Sequence, residues 1–340
     1  MIKATLTQLR PIMMRQLRAG IVPFLHGKPG IGKSALAKWI ATELKLVLID
    51  VRLAEMDPTE ISGFPRINPE NGIAEYVPLN IFPVTETKIP AGYKGWLVLL
   101  DEFSSAPKAV QSAAYKLILD RKVGQRDLHP NVLMMAAGNL DTDGAIVEPQ
   151  SSAITSRTAN FEVIEDVKEW CEWAAQNGID HRITSYLQFK PQLLHTMNAD
   201  TPEEPYACGR TWHMTSNCIK DRKLEHEDQI LMSSLIGEGV ASEFVQYTEI
   251  YDKDLPKIKD IVADPMGVTL SKRLDVQWAL MGSICHHVTE DTLEPLTQFL
   301  DRLPDELIVV AMKEMFGRHP ELYNHEVANE WINRNAARIF

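Results

Sequence analysis

Gly27-Lys28-Pro29-Gly30-Ile31-Gly32-Lys33-Ser34 fits the pattern G-x-x-x-x-G-K-[ST] at every fixed position. Before it stands Ile21-Val22-Pro23-Phe24-Leu25, a short apolar run suited to a buried parallel strand. After it stands Ser34-Ala35-Leu36-Ala37-Lys38-Trp39-Ile40-Ala41-Thr42-Glu43-Leu44, a good helix former with apolar residues at helical spacing. Strand, glycine loop and helix are the setting in which this motif binds phosphate. The glycines let the backbone curl so that successive N–H groups point inward, and the helix N-terminus adds partial positive charge. The expected ligand is ATP or ADP with Mg²⁺. Residues Gly27 to Ser34 form the cradle, Lys33 reaches the β- and γ-phosphates, and the Ser34 hydroxyl binds the metal.

A second motif lies downstream. Trp96-Leu97-Val98-Leu99-Leu100-Asp101-Glu102 is an apolar strand ending in two carboxylates. The C-terminal end of such a strand is where doubly wound sheets bind ligands. Asp101 is expected in the Mg²⁺ shell, and Glu102 is expected to polarise the attacking water. Val132-Leu133-Met134-Met135-Ala136-Ala137-Gly138-Asn139 reads as a neighbouring strand, with Asn139 at its tip able to hydrogen-bond the same water.

The rest of the chain sets these motifs in order. Residues 1–20 read as one helix, with Leu6, Leu9, Ile12, Met13 and Leu17 at helical spacing and Gly20 to end it. Leu46 to Val51 reads as a second buried strand. Asp57-Pro58-Thr59-Glu60 carries the N-cap, N1 and N3 residues of a helix start, and Gly63 and Pro65 keep that helix short. Asn71-Gly72 between Arg66-Ile67-Asn68 and Ile73 to Val77 signals a hairpin. Residues 57–83 are therefore a helix-plus-hairpin excursion between two core strands. Ala106 to Leu119 is a helix, followed by a turn at Gly124. A short helical piece precedes Arg157, Phe161 to Ile164 is a last strand, and Asp166 caps a helix bearing Trp170 and Trp173, which read as core residues. From there the pattern is helical to Phe340, interrupted by a loop from Ala199 to Gly209.

Composition limits the function classes. The chain has 340 residues, 45% hydrophobic and 24% charged, as in an ordinary globular protein of two or three domains. The net charge of −11 argues against bulk electrostatic attraction to nucleic acid, while leaving room for a local basic channel. No apolar run is long enough to span a membrane, and Met1-Ile2-Lys3-Ala4-Thr5-Leu6 has no secretory apolar region, so the expected location is the cytoplasm. The four cysteines, Cys171, Cys208, Cys218 and Cys285, form no C-x-x-C pair. His286-His287 beside Cys285 reads as helix surface or core rather than a zinc site.

In its order of motifs the chain resembles the AAA+ ATPases, and within them the MoxR-like branch that carries a helix-2 insert. Gly27 to Ser34 stands as Walker A, Leu97 to Glu102 as Walker B and Asn139 as sensor 1. Arg157 falls where the family places its arginine finger. Arg210, in Cys208-Gly209-Arg210-Thr211-Trp212, looks like the sensor 2 arginine. Residues 57–83 look like the insert, and Asp166 to Ala174 like the entry into the lid. Thr158 after Arg157 and Gly209 before Arg210 depart from the family's usual residues. The resemblance covers roughly residues 1–240. It implies a doubly wound α/β ATPase core over 1–164, a helical lid over 165–245 and a further helical region over 246–340. It also implies a homo-oligomeric ring, commonly a hexamer, and chaperone-like work on a protein partner, often one with a von Willebrand factor A-type domain. The alternatives are a nucleic-acid motor or clamp-loader-like ATPase, and an ATP-binding switch that scarcely hydrolyses.

Overall fold

The computed structural model describes residues 1–70, 72–140, 152–201 and 203–336. Two compact units make up the chain, Met1–Glu165 and Asp166–Phe340. Among the described residues no helix is long and apolar enough to cross a membrane.

In the first unit the order is β1 (Ile2–Ala4), α1 (Leu6–Arg18), β2 (Val22–His26), α2 (Lys33–Leu44), β3 (Leu46–Arg52), α3 (Pro58–Ser62), β4 (Phe64–Ile67) and β5 (Ala74–Val77). Then come β6 (Gly95–Asp101), α4 (Lys108–Asp120), β7 (Lys122–Val123), β8 (Arg126–Asp127), β9 (Val132–Gly138), α5 (Ser152–Thr155) and β10 (Thr158–Val163). Six strands form one parallel sheet in the order β1-β10-β2-β9-β6-β3. This is a P-loop NTPase sheet with its glycine loop strand, β2, inside and β3 at one edge. Both faces are covered. Phe24, Val98, Leu100, Met134 and Ala136 enter the core on one side, while Leu25, Leu97, Leu99, Met135 and Ala137 enter the core on the other. That is why the inner strands read as unbroken apolar runs rather than alternating ones. Each fully buried leucine among them stabilises the fold by roughly 1.5–3 kcal/mol.

Three expectations need correction here. Residues 1–20 are not one helix. Ile2–Ala4 adds an edge strand on β10, and α1 begins after Thr5, whose hydroxyl accepts from the Gln8 N–H while the Gln8 side chain accepts from the Thr5 N–H at 3.1 Å. Leu46–Arg52 is not a buried strand throughout, because it lies at the sheet edge with Asp50 and Arg52 exposed. The excursion over 57–83 does not simply project. Its helix α3 has the expected capping box of Asp57 and Glu60, and Ile61 and Phe82 are buried in the sheet's core. β4 and β5 pair antiparallel as expected. Gly72 has φ +69°, and the Asn71 of the expected turn lies outside the described residues.

The base of this insert is held by a piece the sequence did not announce. β7 and β8 form a small hairpin. Its Gly124, at φ +59°, lies under Ser62 and Tyr76 so closely that a Cβ would sit 2.8 Å from the Ser62 carbonyl oxygen. After it, the Thr85 N–H donates to Asp127 O (3.2 Å), the His129 N–H donates to Pro83 O (2.9 Å), and Val84 bridges Leu128.

The second unit is helical: α6 (Val167–Gln176), α7 (His181–Phe189), α8 (Gly209–Ile219), α9 (His226–Ile236), α10 (Glu238–Lys253), α11 (Ile258–Ala263), α12 (Leu274–His287), α13 (Leu293–Leu300), α14 (Asp305–Arg318) and α15 (Glu326–Arg334). Asp166 caps α6 by accepting from the Glu169 N–H at 3.0 Å. Trp170 and Trp173 pack, partly buried, on the core of α6 to α10. Helix α12 is buried on nearly every side, with Val276 and Ala279 in that core and Leu280, Met281, Ile284 and Cys285 in the core of α11 to α15.

Candidate nucleotide site

The parallel sheet brings the C-terminal ends of β2, β6 and β9 side by side, and the loop after each supplies one part of the site. Gly27 leaves β2 with its N–H donating to Gly138 O at 3.2 Å. It packs so tightly on β10 that an added Cβ would lie 3.1 Å from the Val163 carbonyl oxygen. Gly30 (φ +77°) and Gly32 (φ +108°) take the left-handed backbone that turns the chain back into α2. Lys28 at the loop's flank pairs with Glu165 at 3.2 Å.

Lys33 and Ser34 open α2 and reach across to the other strands. The Lys33 ammonium is buried, donating to Gly27 O, to Lys28 O (3.0 Å) and to Asn139 Oδ1 (3.1 Å). The Ser34 hydroxyl donates to Asp101 Oδ2 at 2.7 Å. The sheet thus brings together Lys33, Ser34, Asp101 and Asn139, residues up to 106 positions apart in sequence.

The two strand ends are held with care. Asp101 Oδ1 accepts from the Glu102 N–H at 2.8 Å, and Glu102 sits at φ +54°. A non-glycine residue in that region is strained, and such strain gathers at functional sites. On β9 the Ser104 hydroxyl donates to Asn139 O at 3.0 Å. Gly138 has no room for a side chain, because a Cβ there would collide with the Ser104 hydroxyl oxygen.

Two residues of the site were missed by the sequence reading. His26, the last residue of β2, is buried and shares a 3.0 Å hydrogen bond with Asn160 on β10. Burial, opposed by that bond and aided by the Lys33 charge, holds its imidazole below the ordinary histidine range. Asp50 on β3 is the other. Although it is exposed at the sheet edge, partial desolvation and the neighbouring Asp101 carboxylate raise its carboxyl above the ordinary value. A lone histidine and a strand aspartate carry no local signal, and only the pairing of the strands gives them a place.

The donor set fits a small hard cation. Ser34 and Asp101 offer oxygens only. Arg157 lies exposed in the turn between α5 and β10. Arg210 lies exposed in the first turn of α8, in the second unit.

Residues 23–158 match the AAA domain (dynein-related subfamily). The search of curated proteins gives no match. Among solved structures, the RuvB Holliday junction branch migration motor of Thermotoga maritima is similar at 17% identity over 77% of this chain and 75% of that one, with a TM-score of 0.38. A provisionally named ATPase of Cytophaga hutchinsonii is similar at 13% identity over 98% of this chain and 89% of that one, with a TM-score of 0.35. NtrX of Brucella abortus in complex with ADP is similar at 15% identity over 97% and 68%, with a TM-score of 0.39. With the glycine loop, the strand-end carboxylates and the polar tip of β9 gathered on one parallel sheet, residues 23–158 are an AAA domain and the chain is an ATPase.

Proposed function

We propose that this ATPase is a ring-forming, MoxR-like remodelling enzyme, with water as nucleophile and ADP and phosphate as products. The observation that carries the reading is the double reach of α2's first turn, Lys33 to Asn139 and Ser34 to Asp101. It supports a site in which nucleotide, water and metal meet between β2, β6 and β9. The backbone of Gly27 to Ser34 cradles the phosphates, and Lys33 exchanges its carbonyl partners for phosphate oxygens. Ser34 and Asp101 would hold Mg²⁺, which when bound offsets charge on the phosphates. Glu102 takes the proton of the attacking water, and Asn139 fixes that water's position. Arg157 acts on the nucleotide of the next subunit, and Arg210 serves as the sensor 2 arginine. The ring is a hexamer in the cytoplasm, and the partner is a protein, one with a von Willebrand factor A-type domain being the first choice. The insert is the part that meets the partner. Its hairpin exposes Phe64, Ile67, Ile73, Tyr76 and Val77, a density of apolar surface that marks interaction sites.

The test is a pull-down with Glu102→Gln protein. That change keeps the side chain's size and its hydrogen bonding and removes the base, so the protein should hold ATP and its partner while turnover falls by about a hundredfold or more. Co-purification of a defined protein with the ATP-held form, and not with the ADP form, is the expected result. DNA recovered in its place, with DNA-stimulated turnover, would replace the remodelling role by that of a nucleic-acid motor. Near-normal turnover in Glu102→Gln would remove Glu102 from the site.

A further inference from the structure

The second unit contains a cavity of about 1030 Å³, at the upper end of the size range of small-molecule sites. Its wall is strongly basic for a chain of net charge −11, with seven Lys and Arg side chains against two Asp. The arginines are already committed. Arg182 forks onto Asp180 (2.9 and 2.7 Å) and donates to Ile219 O and Arg222 O. Arg318 pairs with Glu314 and donates to Ile179 O and Thr184 Oγ1. Arg222 pairs with Asp228. Lys223 pairs with Asp252 at 3.0 Å. What remains is Lys220, Lys257 and Lys259, none of which makes an ion pair among the described residues.

The same cavity is lined by a cluster of rings. His181 and His286 stack at 4.3 Å with 10° between planes. Tyr251 and His287 meet His181 edge-on at 5.4 and 5.8 Å. Burial and the nearby cations Arg318 and Arg182 hold His181 well below its ordinary range, and burial with His287 and Arg318 holds His286 at about 4. Burial, reinforced by the nearby cations, therefore keeps both imidazoles neutral at pH 7.

The kind of anion follows from which cations are left over. Planar carboxylates are matched best by guanidinium forks, and here those forks are occupied by Asp180 and Glu314. The remaining ammonium groups are compact charges on flexible stems, which suit oxyanions of high charge density. We propose that this cavity binds a small, multiply charged phosphate anion, held by Lys220, Lys257 and Lys259 over the His181–His286 stack. The site is separate from the nucleotide loop, and its occupation does not depend on the ATPase reading.

The experiment is calorimetric titration of the full chain, first saturated with ADP, with sodium tripolyphosphate at low salt. One binding event is expected, weakening as salt rises. In Lys257→Glu/Lys259→Glu the affinity should fall by roughly tenfold or more, and in Lys220→Ala by less. These side chains are exposed, so unfolding temperature and basal ATP turnover should match the unaltered protein. Absence of binding overturns the proposal, as does an affinity unchanged by the charge reversal. Binding that disappears in Lys33→Ala instead assigns the heat to the nucleotide loop and likewise overturns it. A single-stranded oligonucleotide that requires these lysines while tripolyphosphate does not bind at all overturns the small ligand in favour of a nucleic-acid backbone.

Discussion

The nucleotide loop and the β4–β5 hairpin use opposite chemistry within one unit. In the loop the polar groups turn inward and find one another: Lys33 with two loop carbonyls and Asn139, Ser34 with Asp101, Ser104 with the Asn139 carbonyl. In the hairpin the apolar groups turn outward, with Ile67 70% and Ile73 61% exposed. A region whose bonds close on themselves can be assembled by one subunit. A region that leaves large apolar side chains in water is complete only against another surface. An isolated two-stranded hairpin is marginal, and here its base is supported by α3, Phe82 and the turn at Gly124.

The largest expected effect probes whether the closed region is as self-sufficient as its bonds imply. Arg157→Ala should bind ATP and lose up to about a thousandfold in turnover, if the arginine serves a neighbouring subunit. Mixing it with inactive Glu102→Gln protein should then restore part of the activity, because a mixed ring has interfaces where an intact Glu102 faces an intact Arg157. Full activity of Arg157→Ala alone would leave the site self-contained and send the search for a finger elsewhere.

The open region is tested by removal. Replacing residues 66–77 with a short Gly/Ser linker should leave folding and nucleotide binding of a subunit unchanged, since long loops cost little. Partner binding or partner-stimulated turnover should be lost. A shortened protein that still engages its partner normally would reduce the hairpin to a tolerated loop.

A smaller effect is expected inside the closed region. Gly138→Ala places a methyl group against the Ser104 hydroxyl, which must rotate away and abandon Asn139. Overpacking of this kind costs about 1–3 kcal/mol. The first unit's unfolding temperature should fall by several degrees, roughly 2–4 °C per kcal/mol for a unit of this size. An unchanged melting temperature would show that the contact is slack.

The smallest effect is in pH. His26 binds its proton more weakly when folded than when unfolded, because burial in β2 disfavours the cation. Below about pH 6.5, the ordinary histidine value, the unfolded chain therefore takes up a proton that the folded chain refuses, and stability falls as pH falls. In His26→Gln the decline of melting temperature from pH 7.5 to 5 should be shallower than in the unaltered protein. Equal slopes with and without His26 would disprove the assignment.

Much of this was legible in the sequence, and what was not has a common cause. Local chemistry announces itself: the glycine loop, the strand ending in Asp101-Glu102, and the Asp57 capping box all appear where the sequence places them. The helix start at Thr5 carried a Thr-x-x-Gln signal that helical spacing in Leu6, Leu9 and Met13 overrode. β3 reads as buried because apolar composition does not say which strand will be at an edge. The partnership of His26 with Asn160 spans 134 positions and exists only because β10 lies beside β2. The basic cavity draws Lys220, Lys257 and the His181–His286 stack from four separate places in the chain, so no stretch of sequence is basic enough to signal it.

Strand β9 ties the two compared regions together. At its start, Val132 donates to His129 O, and His129 donates to Pro83 O at the foot of the insert. At its end stands Asn139, bonded to Lys33. Between them runs a single extended strand of about 20 Å, paired with β6 over Val132–Ala136 and with β2 over Ala136–Gly138. No glycine interrupts it before its last residue, so Val132 and Gly138 are the two ends of one stiff strand, with little inside it to absorb a displacement.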